Sequence, residues 1–420
     1  MDLPERPSAR SGWTALRHRG FAFFIAMRII SQFGTQIISV AVGWQVYDMT
    51  RNPADLGLVG LFQFAPAFFL ILVTGAVCDR YNRRLIAAIC FFAEAVCAAV
   101  ILYLTWHGSI TVGTIFFLLL LFGTGRAFVN PATQSLVPNL VPEKDLSSAI
   151  ALSSSSWQVA TVVGPALGGV LYGIGPEIAY GAATAFFLIG ATCALLIPKT
   201  AQKTTAERPT WQSLSAGFRY IWSEKVVFGA VSLDLFAVLL GGAMALLPAF
   251  ARDVLDVGPW GLGFLRSASG VGSLAMGLYL TSRPIRDNAG RTMFIAVCLF
   301  GCFNIVFGLS TIVWLSILML FLMGTADMIS VYIRETLIQL RTPDWVRGRV
   351  NAVNMVFIGA SNELGAFRAG MVAALIGIVP AVVIGGIGTV AVAGLWAYWF
   401  PDLRRIRQFG GRVADDKRQP

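Results

Sequence analysis

The strongest constraint in this sequence is a series of twelve apolar runs, each long enough to cross a lipid bilayer as a helix. Spanning about 30 Å of hydrocarbon takes about 20 mainly apolar residues. With a mean hydropathy of +0.71 and 13% charged residues, the chain cannot coat a water-soluble globule of 420 residues. We therefore predict an all-α membrane protein with twelve transmembrane helices. The runs are residues 20–48, 55–77, 85–106, 112–136, 146–173, 178–197, 226–251, 259–281, 292–310, 313–338, 350–376 and 379–400.

The basic residues predict how the chain is oriented in the membrane. Of the 32 Lys and Arg residues, 25 fall in alternate loops and tails on one side, and only Arg51 and Arg252 fall on the other. Basic residues accumulate on the cytoplasmic side. We therefore predict a multi-pass protein of the inner (cytoplasmic) membrane with both termini cytoplasmic. The basic net charge is accounted for by topology, so no nucleic acid partner is expected.

The sequence also suggests two halves that repeat. Shifting the second half back by 201 positions aligns Asp55 and Gly57 with Asp256 and Gly258, and further Gly, Thr and Pro positions at the same offset. Chance matching in a chain with 43 glycines is the alternative. Two bundles of six helices in the same orientation are typical of transporters that rock around a central site. The predicted organisation is a cytoplasmic tail (1–19), a six-helix bundle (20–198), a cytoplasmic loop (199–225), a second six-helix bundle (226–400) and a cytoplasmic tail (401–420).

The loop between the second and third runs carries a motif. Residues 75–84 read Gly-Ala-Val-Cys-Asp-Arg-Tyr-Asn-Arg-Arg, which is similar to the Gly-x-x-x-Asp-Arg-x-Gly-Arg-Arg signature of the major facilitator superfamily. Asn82 replaces a glycine of that signature, and asparagine tolerates positive φ. The resemblance covers about residues 15–405 and implies the major facilitator fold. It also implies a conformational latch on the cytoplasmic side, formed by Gly75, Asp79, Arg80, Arg83 and Arg84.

Alternative interpretations of this loop stay open. Asp79 is placed to cap the third helix, and the arginines are placed to bind acidic groups or helix C-terminal carbonyls of the other half. Plain anchoring on the positive side explains Arg83 and Arg84 equally well.

A second motif lies in the fifth run and resembles one associated with antiporters of the superfamily: Gly164, Pro165, Gly168 and Gly169. Ordinary packing of small residues between membrane helices is the alternative explanation. Together with residues 28–34 and 131–142, this segment is similar to the branch that holds the enterobactin exporter, macrolide efflux proteins and transmembrane secretion effectors.

Charged residues inside the predicted spans are candidates for function, because each costs free energy in the bilayer unless it has a partner or a wet cavity. On the first span, Arg28, Gln32 and Gln36 recur at helical spacing and are predicted to line a cavity. Arg28 alone is also explained by contact with the cytoplasmic headgroups. Arg126 and Asp327 occupy equivalent places under the offset of 201, so we predict that they face each other across the pore.

Two further carboxylates, Asp234 and Glu363, are candidates for carrying a proton, with ion pairs to Arg266 or Arg368 as the alternative. Arg334 and Glu335 are predicted to form an inner gate. Glu94, by contrast, is interpreted as a packing or interfacial residue.

These observations predict a secondary transporter, not an enzyme, that works by alternating access. The resemblance implies proton-coupled export of a small amphipathic molecule such as a siderophore or a drug. An importer or lysolipid flippase of the same fold is the first alternative, and a polytopic sensor that does not transport is the second. The expected partners are the bilayer, protons and a small-molecule substrate, and one chain forms a complete pore as a monomer. No cofactor is expected, and no metal site, because the cysteine pairs lack histidine partners.

Overall fold

The computed structural model describes residues 14–199, 211–285 and 287–406, which form helices and connecting turns without a strand. The helices are α1 (Arg19–Thr50), α2 (Pro53–Arg80), α3 (Arg83–Trp106), α4 (Val112–Gln134), α5 (Val137–Leu140), α6 (Leu146–Ile174), α7 (Pro176–Leu196), α8 (Trp211–Ser223), α9 (Lys225–Gly241), α10 (Leu247–Asp253), α11 (Pro259–Ser282), α12 (Ala289–Leu309), α13 (Val313–Arg341), α14 (Asp344–Ile376), α15 (Ile378–Trp399) and α16 (Pro401–Arg405).

The long helices coincide with the predicted spans. In the described part of the chain, ten segments are long and apolar enough to cross a membrane. α11 and α14 occupy the two remaining predicted positions, with 24 and 33 residues, but are less apolar. Their polar content includes Arg266, Glu363 and Arg368.

The seventh span is broken, whereas the sequence predicted one continuous run over 226–251. α9 ends at Gly241, and Gly242 has a φ of +40°, a left-handed conformation that suits glycine. Pro248, which has no backbone N–H to donate, stands in the first turn of α10. The freed carbonyls at the end of α9 find partners, since Asn304 donates to Gly241 O and Arg368 donates to Leu240 O.

α8 was not predicted, because the sequence assigned residues 199–225 to a loop. This helix is amphipathic and packs against α14. The Tyr220 hydroxyl donates to the carbonyl of Arg341 at 2.7 Å, and the Phe218 ring lies against Phe357. Phe218 and Trp222 keep large exposed surfaces, as expected of a helix at a membrane interface.

The chain separates into two compact units. One consists of Met1–Ser39 and Ala65–Arg208, and the other of Val40–Phe64 and Pro209–Pro420. The second unit therefore contains the end of α1 and the start of α2 in addition to the helices from α8 onward. The bundle boundaries at 20–198 and 226–400 stay a prediction.

Equivalent helices pack in the same way within the two units. α3 packs on α4 and α7, and its counterpart α12 packs on α13 and α15. A Cβ atom at Gly164 would lie 2.6 Å from the Gln36 Cβ, so α6 approaches α1 closely. A Cβ at Gly365 would lie 3.2 Å from the Leu239 Cα, so α14 approaches α9 closely. These matching approaches at an offset of 201 support the internal repeat.

Candidate functional site

A buried charge cluster lies in the second unit, where α9 meets α13. Asp234 of α9 forms an ion pair with Arg334 of α13, and the two residues are only 7% and 3% exposed. Arg334 also lies 3.7 Å from the carboxylate of Glu335, which accepts a hydrogen bond from Asn354 at 3.0 Å. We call this set, with Asp327, the acidic cluster.

Asp327 completes the acidic cluster from one face of α13. It lies two helical turns before Arg334 and interacts electrostatically with Asp234 and Arg334. In the described part of the chain, no side chain donates a hydrogen bond to its carboxylate. Asp234, Asp327 and Ser330 line a small cavity of about 10 Å³, which holds about one water molecule. One arginine thus interacts with three carboxylates, so the acidic cluster has excess negative charge and can bind a proton.

The structure changes the pairing that the sequence suggested. Asp234 pairs with Arg334 rather than with Arg266 or Arg368. Arg334 is buried inside the second unit and not at the end of α13, so its nearest carboxylate is Asp234 and Glu335 is its second contact. The sequence analysis correctly predicted that Arg334 and Glu335 lie together, but it did not predict their contact with Asp234.

Glu363 lies elsewhere in the second unit. Its carboxylate stands over Gly60 of α2, where a side chain would displace it. Arg368, one turn further along α14, caps the end of α9 through Leu240 O. Glu363 thus contacts α2, whereas the acidic cluster is built on α9 and α13.

The predicted polar face of α1 lies in the first unit. Arg28, Gln32 and Gln36 are half-buried, and Gln36 touches Gly164 of α6. The buried Nε of Arg28 has no hydrogen-bond partner among the described residues. Gly164, Pro165, Gly168 and Gly169 are all buried in α6.

Arg126 has a neighbour that the sequence did not suggest. Glu94, at the middle of α3, is 1% exposed, and its side chain lies 3.4 Å from the position of a Cβ at Gly125. It interacts electrostatically with Arg126, while its buried Oε1 has no hydrogen-bond partner in the described structure. Interpreting Glu94 as interfacial is therefore wrong, because the residue is enclosed. The expected pairing of Arg126 with Asp327 stays a prediction.

The latch residues bind carbonyls within the first unit. Arg83 donates to Cys78 O and to Ser135 O, at the end of α4. Arg84 donates to Ile197 O at 2.6 Å, at the end of α7. Both arginines therefore bind carbonyls at helix C-termini, as the sequence analysis expected. These carbonyls belong to the same half of the chain as the arginines, however, and not to the other half.

The cap of α3 also differs from the expectation. Asn82 has a φ of −65° and accepts a hydrogen bond from Arg84 N, so it caps α3 and has no positive φ. Gly75 is half-buried and Arg80 is exposed near the end of α2. The side chain of Asp79 lies outside what the structure describes.

A second charge cluster joins the end of α1 to α10, and the sequence analysis missed it. Arg252 forms an ion pair with Asp48, Arg51 lies 3.2 Å from Asp253, and the Tyr47 hydroxyl donates to Asp253. Arg51 and Arg252 are equivalent under the offset of 201. The sequence analysis could have used this equivalence to predict that the two arginines form similar contacts.

The start of α1 is tied to α6 by a pH-sensitive contact. His18 Nε2 donates to the Asp145 carboxylate at 3.0 Å, and this hydrogen bond lowers the pKa of Asp145 below its ordinary value. A lowered acid pKa stabilises the fold at pH values above the unfolded-state pKa, and this stabilisation is lost as pH falls through the folded-state pKa. We expect hydrogen exchange at residues 19–25 to be faster in His18→Ala than in the wild type at pH 7. This difference should shrink progressively as the pH falls below about 4, where Asp145 becomes protonated, and a difference that keeps its full size in strong acid would contradict the assignment.

Comparisons with known proteins agree with this architecture. Residues 10–407 match the family described as transmembrane secretion effectors. The chain is 26% identical over 397 residues to the enterobactin exporter EntS of Citrobacter koseri, covering 93% of this chain and 94% of that protein. It is also 26% identical over 403 residues to EntS of Shigella boydii, covering 94% and 95%.

Solved structures share the fold. A bacterial homologue of the human lysosomal transporter Spinster, inward-facing and occupied, superposes with a TM-score of 0.72 at 14% identity, over 93% of this chain and 98% of that one. A bacterial homologue of the iron transporter ferroportin, inward-facing, gives 0.71 at 14% identity, over 92% and 99%. The predicted fold of twelve helices is thereby confirmed. The chain belongs to the transmembrane secretion effector family of major facilitator transporters and is not an enzyme.

Proposed function

We propose that this transporter exports a small amphipathic organic molecule, of the siderophore or drug-like class, in exchange for protons. The observation that carries the proton coupling is the acidic cluster. Asp234 and Asp327 share Arg334 beside a small cavity inside the second unit. In such surroundings two carboxylates on one cation favour binding a proton, which the site can release when its access to water changes.

Asp327 is the proton carrier in this proposal. Asp234 has a direct guanidinium partner, whereas no side chain in the described structure donates a hydrogen bond to Asp327. A carboxylate that lacks a donor gains most from protonation, because its negative charge is otherwise unsatisfied. The cavity that Asp327 lines has room for about one water molecule, which would be placed to exchange a proton with the carboxylate.

The direction and the substrate class of this proposal rest on similarity. The relatives named enterobactin exporter align over 93–94% of this chain, so the whole transport unit is comparable. We assign the substrate cavity to Arg28, Gln32, Gln36, Arg126 and Glu363. The latch arginines and the glycines of α6 would control closure.

The site of action in this proposal is the inner membrane of a bacterium, with both termini cytoplasmic and the chain acting as a monomer. The excess of Lys and Arg on one side supports this orientation. The halves that rock are residues 20–198 and 226–400.

Proton movement in proteoliposomes tests this function. A catecholate siderophore is added to vesicles that carry a pH gradient, and proton movement is followed with a pH-sensitive dye. We expect the wild type to collapse the gradient only when the compound is present. Asp327→Asn should lose this collapse but keep exchange of labelled compound, because exchange needs no net proton transfer.

Asp344→Asn is the matched control. The Asp344 side chain is 89% exposed at the start of α14, so the same chemical change is made outside the acidic cluster. The control should behave as the wild type. Exchange without proton movement in the wild type would contradict coupling, and uptake in the opposite direction in oriented vesicles would favour an importer.

A further inference from the structure

A pocket at the membrane boundary of the second unit combines three arginines with an apolar wall. It has a volume of about 460 Å³ and is lined by Arg291, Phe294, Ile295, Arg404 and Arg405. We call it the arginine pocket. It is separate from the acidic cluster, and the proposed transport cycle makes no use of it.

The arginine pocket is built by a firm contact between α12 and α16. The amide of Gly290 donates to Ile406 O at 3.2 Å, and Leu403 O lies so close to Gly290 that no side chain would fit there. Leu403 and Ile406 are buried in the same apolar core as Phe294. Arg404 and Arg405 are therefore held beside Arg291 by the packing of the residues on either side of them.

Within the described residues, the three arginines of the arginine pocket have no carboxylate partner, since no carboxylate lies within 4 Å of the guanidinium groups of Arg291, Arg404 or Arg405. The nearest acids along the chain, Asp287 and Asp402, are exposed. Three arginines without a counter-charge favour an anionic ligand that accepts several hydrogen bonds, which is the chemistry of a phosphate.

The position of the pocket indicates the source of that phosphate. Arg291 lies in the first turn of α12, a helix long and apolar enough to span the membrane. One turn deeper, Ile295 is 59% exposed on the surface of the same helix. A phospholipid places its phosphate at the headgroup level and its acyl chains along such a surface. We propose that the arginine pocket binds an anionic phospholipid of the surrounding leaflet.

Binding to purified, delipidated protein tests the proposal. Native mass spectrometry would count bound phosphatidylglycerol, with phosphatidylcholine and inorganic phosphate as comparison ligands. We expect phosphatidylglycerol to bind the wild type well above phosphatidylcholine. The triple variant Arg291→Gln, Arg404→Gln, Arg405→Gln should bind it on the order of 100-fold more weakly, at about 1 kcal/mol for each basic residue near a membrane surface.

Matched controls separate a built site from general attraction to positive charge. The control triple variant Arg17→Gln, Arg19→Gln, Arg219→Gln removes the same charge from exposed positions outside the pocket and should bind as the wild type. The single variant Arg405→Gln, an exposed change, serves if the pocket triple does not fold, and its binding should fall several-fold. Equal binding by the pocket and control variants would overturn the proposal. Inorganic phosphate that binds as strongly as phosphatidylglycerol would overturn the assignment to a lipid.

Discussion

Replacement of Arg334 by leucine is expected to remove most of the folded protein. Arg334 is the ion-pair partner of Asp234, and both are almost fully buried. Removing one partner of a buried pair leaves an uncompensated charge and costs about 3–5 kcal/mol. The variant would also leave Asp327 and Glu335 without a cation. We expect its unfolding temperature in detergent to fall well below that of the wild type. The decrease should be larger at pH 8 than at pH 6, because buried carboxylates without a cation cost less free energy when they are protonated than when they are charged.

A double variant makes this prediction specific. Asp234→Asn combined with Arg334→Leu removes both charges, so it should recover much of the stability that Arg334→Leu alone loses. The control is Arg219→Leu on α8, where the arginine is exposed. That change should cost less than about 1 kcal/mol. A double variant no more stable than the single one would contradict the importance of the pair.

The helices of this protein could be predicted from the sequence because the bilayer restricts the choice. Length and hydropathy located all twelve spans, since lipid leaves a spanning segment little alternative to a helix. The break between α9 and α10 was not predicted, because hydropathy does not report backbone conformation. The pair Gly241-Gly242 and the later Pro248 carried the only local signal. α8 was not predicted because its polar face, with Gln212, several serines and Arg219, lowers its average hydropathy.

The acidic cluster was only partly predictable. Spacing along α13 placed Asp327, Arg334 and Glu335 near one another, because they share one helix. Nothing in the sequence showed which helix faces them, so Arg334 was not among the arginines considered as alternative partners of Asp234. The cluster at Asp48 and Arg252 was missed for the same reason, although the internal repeat related its arginines. Contacts between distant helices depend on packing, which a single sequence does not display.

Glu94→Lys is expected to be as damaging in the first unit as Arg334→Leu is in the second. Glu94 lies at the middle of α3 and is enclosed, so a lysine would bring a positive charge to mid-bilayer beside Arg126. A central charge costs about 2.5–3.5 kcal/mol on insertion scales, and repulsion between like charges adds to it. We expect little folded protein by size-exclusion chromatography of detergent extracts.

Glu94→Gln separates the charge from the shape. The amide is isosteric with the carboxyl group, and Oε1 has no donor to lose among the described residues, so this variant should fold as the wild type does. Glu177→Lys is the control for charge reversal, because Glu177 is exposed in the first turn of α7. It should be recovered in normal yield, since a lysine at that level of the membrane reaches water. Normal recovery of Glu94→Lys would mean that the Glu94 position is open to water, which the 1% exposure of its side chain in this structure argues against.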